Sequence, residues 1–148
     1  MKSQLSLFVK PYWMRKSLII LLFHVAPLTL YSQVLMNKDS LLKLLPLAKE
    51  DTNAVQLYIN IGQQLDTSEP NVGKMYYKKA GDLSRKLNYP KGIIKYINNY
   101  TFVLNMQGLY DSSLLLNMEG VAISRETNDS LNLAQTLFNT GTSYRMKG

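Results

Sequence analysis

A chain of 148 residues has room for one ordinary domain and a targeting segment. It contains no cysteine, which excludes a disulfide framework, thiolate metal sites and lipid attachment through an N-terminal cysteine. More than half of the formal net charge of +7 comes from Lys2, Lys10, Arg15 and Lys16; without them thirteen Lys and Arg face ten Asp and Glu, too small an excess to supply the concentrated basic face that nucleic acid requires.

Those four cations precede the apolar run from Ser17 to Leu30, which is followed by Tyr31-Ser32-Gln33. That order reads as a secretory signal peptide over residues 1–33, with cleavage near Ser32 or Gln33. The run is shorter than the roughly 20 residues that cross a bilayer, and His24 and Pro27 interrupt it. The alternative is an uncleaved anchor over Leu18 to Met36. Both readings put the remainder outside the cytoplasm. Since His24 is the only histidine, the chain beyond the leader lacks the commonest general base, the commonest metal ligand and the best nucleophile. Neither a catalytic group nor a metal or other cofactor is expected.

Residues 34–51 read as a capping helix and linker, with Asp39 and Ser40 as caps and a stop near Pro46. A second helix runs from Thr52 to Leu65, with Val55, Tyr58, Ile61, Gly62 and Leu65 on one stripe. After the turn Asp66 to Asn71, a third runs from Asn71 to Leu87 and carries Met75, Tyr76, Tyr77, Ala80, Leu83 and Leu87 inward. Pro90 ends it, because the residue before proline avoids helical angles. A fourth helix, Lys91 to Met106, turns Ile93, Ile94, Ile97, Tyr100, Thr101 and Leu104 to the core. A fifth, Tyr110 to Glu126, is expected to bury Leu114, Leu115, Met118, Val121 and Ala122. A sixth, capped by Asp129 or Ser130, is expected to bury Leu133, Leu137, Phe138, Gly141 and Tyr144. No stretch alternates with period two, so the fold class is all-α.

The last segment echoes an earlier one 40 residues back: Ser124-Arg125 falls on Ser84-Arg85 and Met146-Lys147-Gly148 on Met106-Gln107-Gly108. With Tyr76-Tyr77-Lys78-Lys79-Ala80, Leu87-Asn88-Tyr89-Pro90-Lys91-Gly92 and the turn Gly108-Leu109-Tyr110-Asp111, residues 52–148 resemble tetratricopeptide repeats of about 40 residues. The units are 52–90, 91–129 and an incomplete 130–148. Small residues recur at Gly62, Gly73 and Ala80, at Thr101, Ser113 and Gly120, and at Gly141, with Tyr77, Leu65, Leu104 and Tyr144 filling the space between helices. Thr101 and Asn117 depart from the family's usual glycine and aromatic.

The resemblance implies a right-handed α-α superhelix of about two and a half units and an N-terminal half-unit. A signal peptide ahead of such units resembles the envelope-facing, periplasmic part of bacterial sensor histidine kinases or DNA-binding regulators. The expected function is therefore a non-catalytic protein or peptide interaction module, and the alternative is the sensor portion of such a signal-transduction protein. Membrane contact is expected only through the leader or a downstream segment. With the third unit incomplete, the sixth helix is expected to leave apolar surface bare, as in a fragment or in an oligomer whose second subunit covers it.

In this family the first helix of each unit lines the concave groove. Asn60, Asn99 and Asn139 hold equivalent places there, and Gln63, Lys95, Phe102, Gln135 and Phe138 surround them, with Gln56, Asn98, Asn105 and Arg145 nearby. A side-chain amide both donates and accepts, so such a ladder suits the backbone of an extended peptide. The competing expectation is that these asparagines are ordinary residues of the repeat pattern, partly bonding neighbouring helices. A carboxylate clamp is disfavoured, because among Ile59, Gln63, Asn99, Gln135 and Asn139 only Asn99 matches it. Lys74, Lys78, Lys79, Arg85, Lys86, Lys91 and Lys95 read as a solvated outer face, or as a surface for anionic lipid or an acidic partner.

Overall fold

The computed structural model describes residues 37–148; the leader expected over 1–33 lies outside the described residues. These form α1 (Lys38–Leu44) with a 3-10 turn at Leu45–Leu47, then α2 (Thr52–Leu65), α3 (Pro70–Lys86), α4 (Pro90–Met106), α5 (Tyr110–Glu126) and α6 (Ser130–Lys147). With no strand among the described residues, the fold is all-α.

The helix starts follow from local chemistry. Asn37 caps α1, its Oδ1 accepting the Ser40 backbone N–H at 2.9 Å, so Asp39 and Ser40 lie inside the helix rather than capping it. Asp51 caps α2 by accepting from Asn53 N at 2.9 Å and Ala54 N at 3.1 Å. Pro70 and Pro90 occupy the first turns of α3 and α4, where a missing N–H removes no helical bond, and so those helices begin one residue earlier than the expected Asn71 and Lys91. Asp129 caps α6 by accepting from Asn132 N.

From α3 onward the helices begin every 20 residues, at positions 70, 90, 110 and 130. The three turns between them are alike. Each passes through a left-handed residue, Asn88 (φ 49°), Gly108 (φ 74°) or Asn128 (φ 53°). In each, the next residue's N–H reaches back five residues: Tyr89 to Ser84 O, Leu109 to Leu104 O and Asp129 to Ser124 O, all at 2.9 Å. The same closure at the same interval folds the chain into successive helical hairpins. Each helix packs on its neighbours in sequence, and α4 also touches α2 and α6, so α2, α4 and α6 share a layer backed by α3 and α5.

The two halves of this arrangement are held by different chemistry. Ala54, Val55, Ile59, Tyr77, Ala80, Leu83, Tyr96, Ile97 and Val103 form an apolar core across α2, α3 and α4. Leu41 of α1 joins Leu57, Ile61 and Leu65 in a second cluster. Met75, expected inside, is exposed.

Between α4, α5 and α6 the seam is polar. The buried face of α5 consists of Ser113, Asn117, Gly120 and Ser124, and that of α6 of Thr136 and Ser143. The expected core residues Leu115 (71% exposed), Met118 (67%) and Ala122 lie outward, and Leu114 and Val121 are half-buried. On α6, Leu137, Phe138, Gly141 and Tyr144 are exposed, with only Leu133 partly covered. The outward turn of these side chains has a steric cause. Ser113, Asn117, Gly120 and Ser124 recur at helical spacing on their own side, and a Cβ on Gly120 would stand 3.0 Å from Thr136 Cγ2 and 3.1 Å from Ile97 Cγ2. The small stripe permits that approach, which turns the larger side chains away. Gly141 does not share this role, since a Cβ there meets nothing within 4 Å, and Tyr144 fills no interhelical space.

Ser113 and Ser143 hydroxyls meet at 2.9 Å in the seam, and Ser143 Oγ lies 3.0 Å from Asn105 Oδ1. Asn117 Nδ2 reaches those two hydroxyls only at 3.5 Å, and Asn117 Oδ1 and Ser124 Oγ are buried without a partner.

Candidate functional site

The eight candidate residues all lie on the α2–α4–α6 layer. Asn60 and Gln63 come from α2, Lys95, Asn99 and Phe102 from α4, and Gln135, Phe138 and Asn139 from α6. The last six line one open recess of about 420 Å³ between α4 and α6, completed by Asn98 and Asn132. Its members recur one turn apart, Lys95, Asn99 and Phe102 on α4 and Gln135 and Phe138 on α6, which places each set on one helical face. Asn132 was not among the sequence candidates. Its position three residues before Gln135 on the same face was the available signal.

Asn60 and Gln63 stand apart from the recess and brace it. Gln63 Nε2 donates to Asn99 Oδ1 at 2.8 Å, tying α2 to α4. Asn60 Oδ1 accepts from Gln56 Nε2 at 2.7 Å, and Gln56 Oε1 accepts from Lys95 Nζ at 2.6 Å. Asn99 Nδ2 donates to Lys95 O at 2.7 Å.

The α6 side is built alike. Asn139 Nδ2 donates to Asn98 O at 3.0 Å and its Oδ1 accepts from Gln135 Nε2 at 3.1 Å, while Thr136 Oγ1 donates to Asn98 Oδ1 at 2.9 Å. Asn99 and Asn139 thus join neighbouring helices while Asn60 bonds within α2, and each amide keeps part of its capacity, because an NH2 has two donors and an amide oxygen two lone pairs. Asn105 does not belong to the recess, since it is buried in the polar seam.

Two groups in the recess have no comparable structural duty. Phe102 is 50% exposed and Phe138 70%, one from each wall. Aromatic rings left in water on opposite walls cost hydration and offer contact area to a ligand.

The charge distribution is one-sided. The sequences of α2, α4 and α6 contain no Asp or Glu, and Lys95 belongs to none of the four ion pairs found among the described residues. By contrast, Arg85 of α3 pairs with Glu119 of α5 at 2.8 Å, and Lys86 pairs with Glu50, so part of the outer basic face is neutralised within the chain. Lys95 is the one titratable side chain in the recess lining. No group of three His, Asp or Glu side chains among the described residues could hold a metal ion, and no helix among them is long and apolar enough to cross a membrane. Such a site can hold a ligand by hydrogen bonds, ring contact and one positive charge. Comparison with protein-family models, with curated proteins and with solved structures finds no match to the chain.

Proposed function

We propose that the chain is an exported interaction module of the tetratricopeptide type, a right-handed solenoid that binds an extended peptide or protein segment along the α2–α4–α6 layer and does no chemistry on it. The 20-residue spacing of helix starts, the three matching left-handed turns and the adjacency of α2, α4 and α6 support the repeat reading. One observation carries the binding reading: the recess between α4 and α6 gathers amide side chains between two exposed phenylalanines. The amides match the alternating donors and acceptors of an extended backbone, and the rings offer pockets for side chains.

The test is a selection of randomised 12-residue peptides on the purified full-length protein, followed by affinity measurement with the double variant Phe102→Ala/Phe138→Ala. Both rings are at least half exposed, so the variant should keep its helicity and lose about tenfold or more in affinity. Selected peptides that bind the folded double variant as tightly as the native protein would show that the groove lies elsewhere. Replacing Asn99 with Phe102 is less discriminating, because Asn99 also bridges α2 and α4.

A further inference from the structure

From the charge distribution we infer that the segment taken by this recess is acidic, with a carboxylate meeting Lys95 and an apolar side chain seated between Phe102 and Phe138. The inference rests on the peptide-binding reading above and specifies the partner's chemistry.

The amide character of the layer leaves it open to many ligands, and charge selects among them. α2, α4 and α6 hold 14, 17 and 18 residues, yet all ten Asp and Glu of the chain fall elsewhere, on α1, α3, α5 or the connecting segments. A basic segment would therefore find no counter-charge on the layer and would face Lys95. A neutral segment would leave Lys95 with the neutral oxygen of Gln56 as its hydrogen-bond partner at 2.6 Å. An acidic segment supplies the missing carboxylate, and a bond between opposite charges is stronger than the ammonium-to-amide bond it joins. Lys95 is half-buried, and an ion pair there is screened less than one at the open surface.

The same features separate a peptide from single-stranded nucleic acid, which also stacks on aromatic rings. Nucleic acid brings a phosphate for every base and needs a run of cations along the groove, whereas this lining has one. Amides on both walls instead suit the peptide groups of an extended strand.

Two comparisons test this on the full-length protein. Peptides recovered from the 12-residue selection should be enriched in Asp and Glu. Replacing their acids with Asn and Gln, or Lys95 with Gln, should each weaken binding about three- to tenfold, and the two changes together should weaken it little further, as coupled partners do. Binding should also weaken as salt rises. If the selected peptides are neutral or basic, bind independently of Lys95 and still require Phe102 and Phe138, the acidic inference fails while the groove stands. If they ignore the two rings as well, both fail. A labelled 12-nucleotide single strand that displaces the peptides and depends on Lys95 and both rings would also overturn the inference.

Discussion

The ring of Tyr77 on α3 lies directly against Gly62 on α2, so closely that a Cβ on Gly62 would stand 2.5 Å from Tyr77 Cε1. Tyr77 is wholly buried, and its hydroxyl donates to Asp66 Oδ1 at 2.7 Å, which holds the ring over the glycine from both ends. Gly62→Ala should therefore destabilise the fold by about 1–3 kcal/mol despite alanine's better helix propensity, because the buried ring cannot retreat. Gly141→Ala should be neutral or stabilising by up to about 1 kcal/mol, since a Cβ there meets open space. Urea unfolding followed by circular dichroism compares the two, and equal effects would contradict the packing described.

Asn117 should be better replaced by leucine. Its side chain is fully buried, its Oδ1 has no partner, and its Nδ2 contacts are long. Because a buried unsatisfied polar group costs its desolvation, Asn117→Leu should raise stability by about 1–2 kcal/mol. A lower urea midpoint in the variant would mean that the seam needs the amide.

Hydrogen exchange should divide the chain at α4. The apolar core lies in α2, α3 and α4, whereas α6 buries only Thr136 and Ser143 fully. Burial of apolar area supplies most of the free energy that resists opening, so amides of α6 should exchange faster than those of α2 and α3, by at least about tenfold. Equal protection along the chain would refute this gradient.

Acid should act on the carboxylates with opposite signs. Backbone N–H bonds from Ala54 and Asn53 hold Asp51 below the usual carboxylate range, and the Asn132 side chain and backbone do the same for Asp129. Their stabilising effect is present above the unfolded value of about 3.9 and is lost as pH falls through the lower folded values. Asp51→Asn keeps a capping oxygen without the titration, and the native protein's advantage over it should shrink below about pH 4.

Burial raises Asp66, against the opposing hydrogen bond from Tyr77. Its contribution is present below the unfolded value and is lost as pH rises through the higher folded one. Relative to Asp66→Asn, the native protein should lose stability as pH rises from about 3 to 7. Thermal melts across that range check both slopes, and a single common slope for the two variants would contradict the assigned environments.

Much of this was legible in the chain. Pro46, Pro70, Pro90 and the Asn and Gly turns punctuate the sequence strongly enough to mark every helix within a residue or two, because a fixed φ, a missing donor and a left-handed residue act locally. The stripe Val55, Ile61, Gly62 and Leu65 of α2 was equally plain, since its apolar residues have one period and one side to face. Of the eight groove candidates, helical spacing puts Lys95, Asn99 and Phe102 on one side of α4 and Gln135, Phe138 and Asn139 on one side of α6, and the packing of α6 on α4 brings those six together.

Which face of α5 is buried was decided elsewhere. Its sequence carries two stripes, one of Leu115, Met118 and Ala122 and one of Ser113, Asn117, Gly120 and Ser124, and apolarity by itself favours the first. Only when α6 docks through Thr136 and Ser143 does closeness of approach outweigh side-chain apolarity, and the small stripe turns inward. The roles of the asparagines divide the same way. Their residue type and spacing follow from the sequence, but whether an amide faces a ligand or a neighbouring helix depends on distances between helices, which are set by all the contacts together. Local chemistry therefore determined the helices, their turns and the shared face of the recess residues, while tertiary packing decided what each face meets.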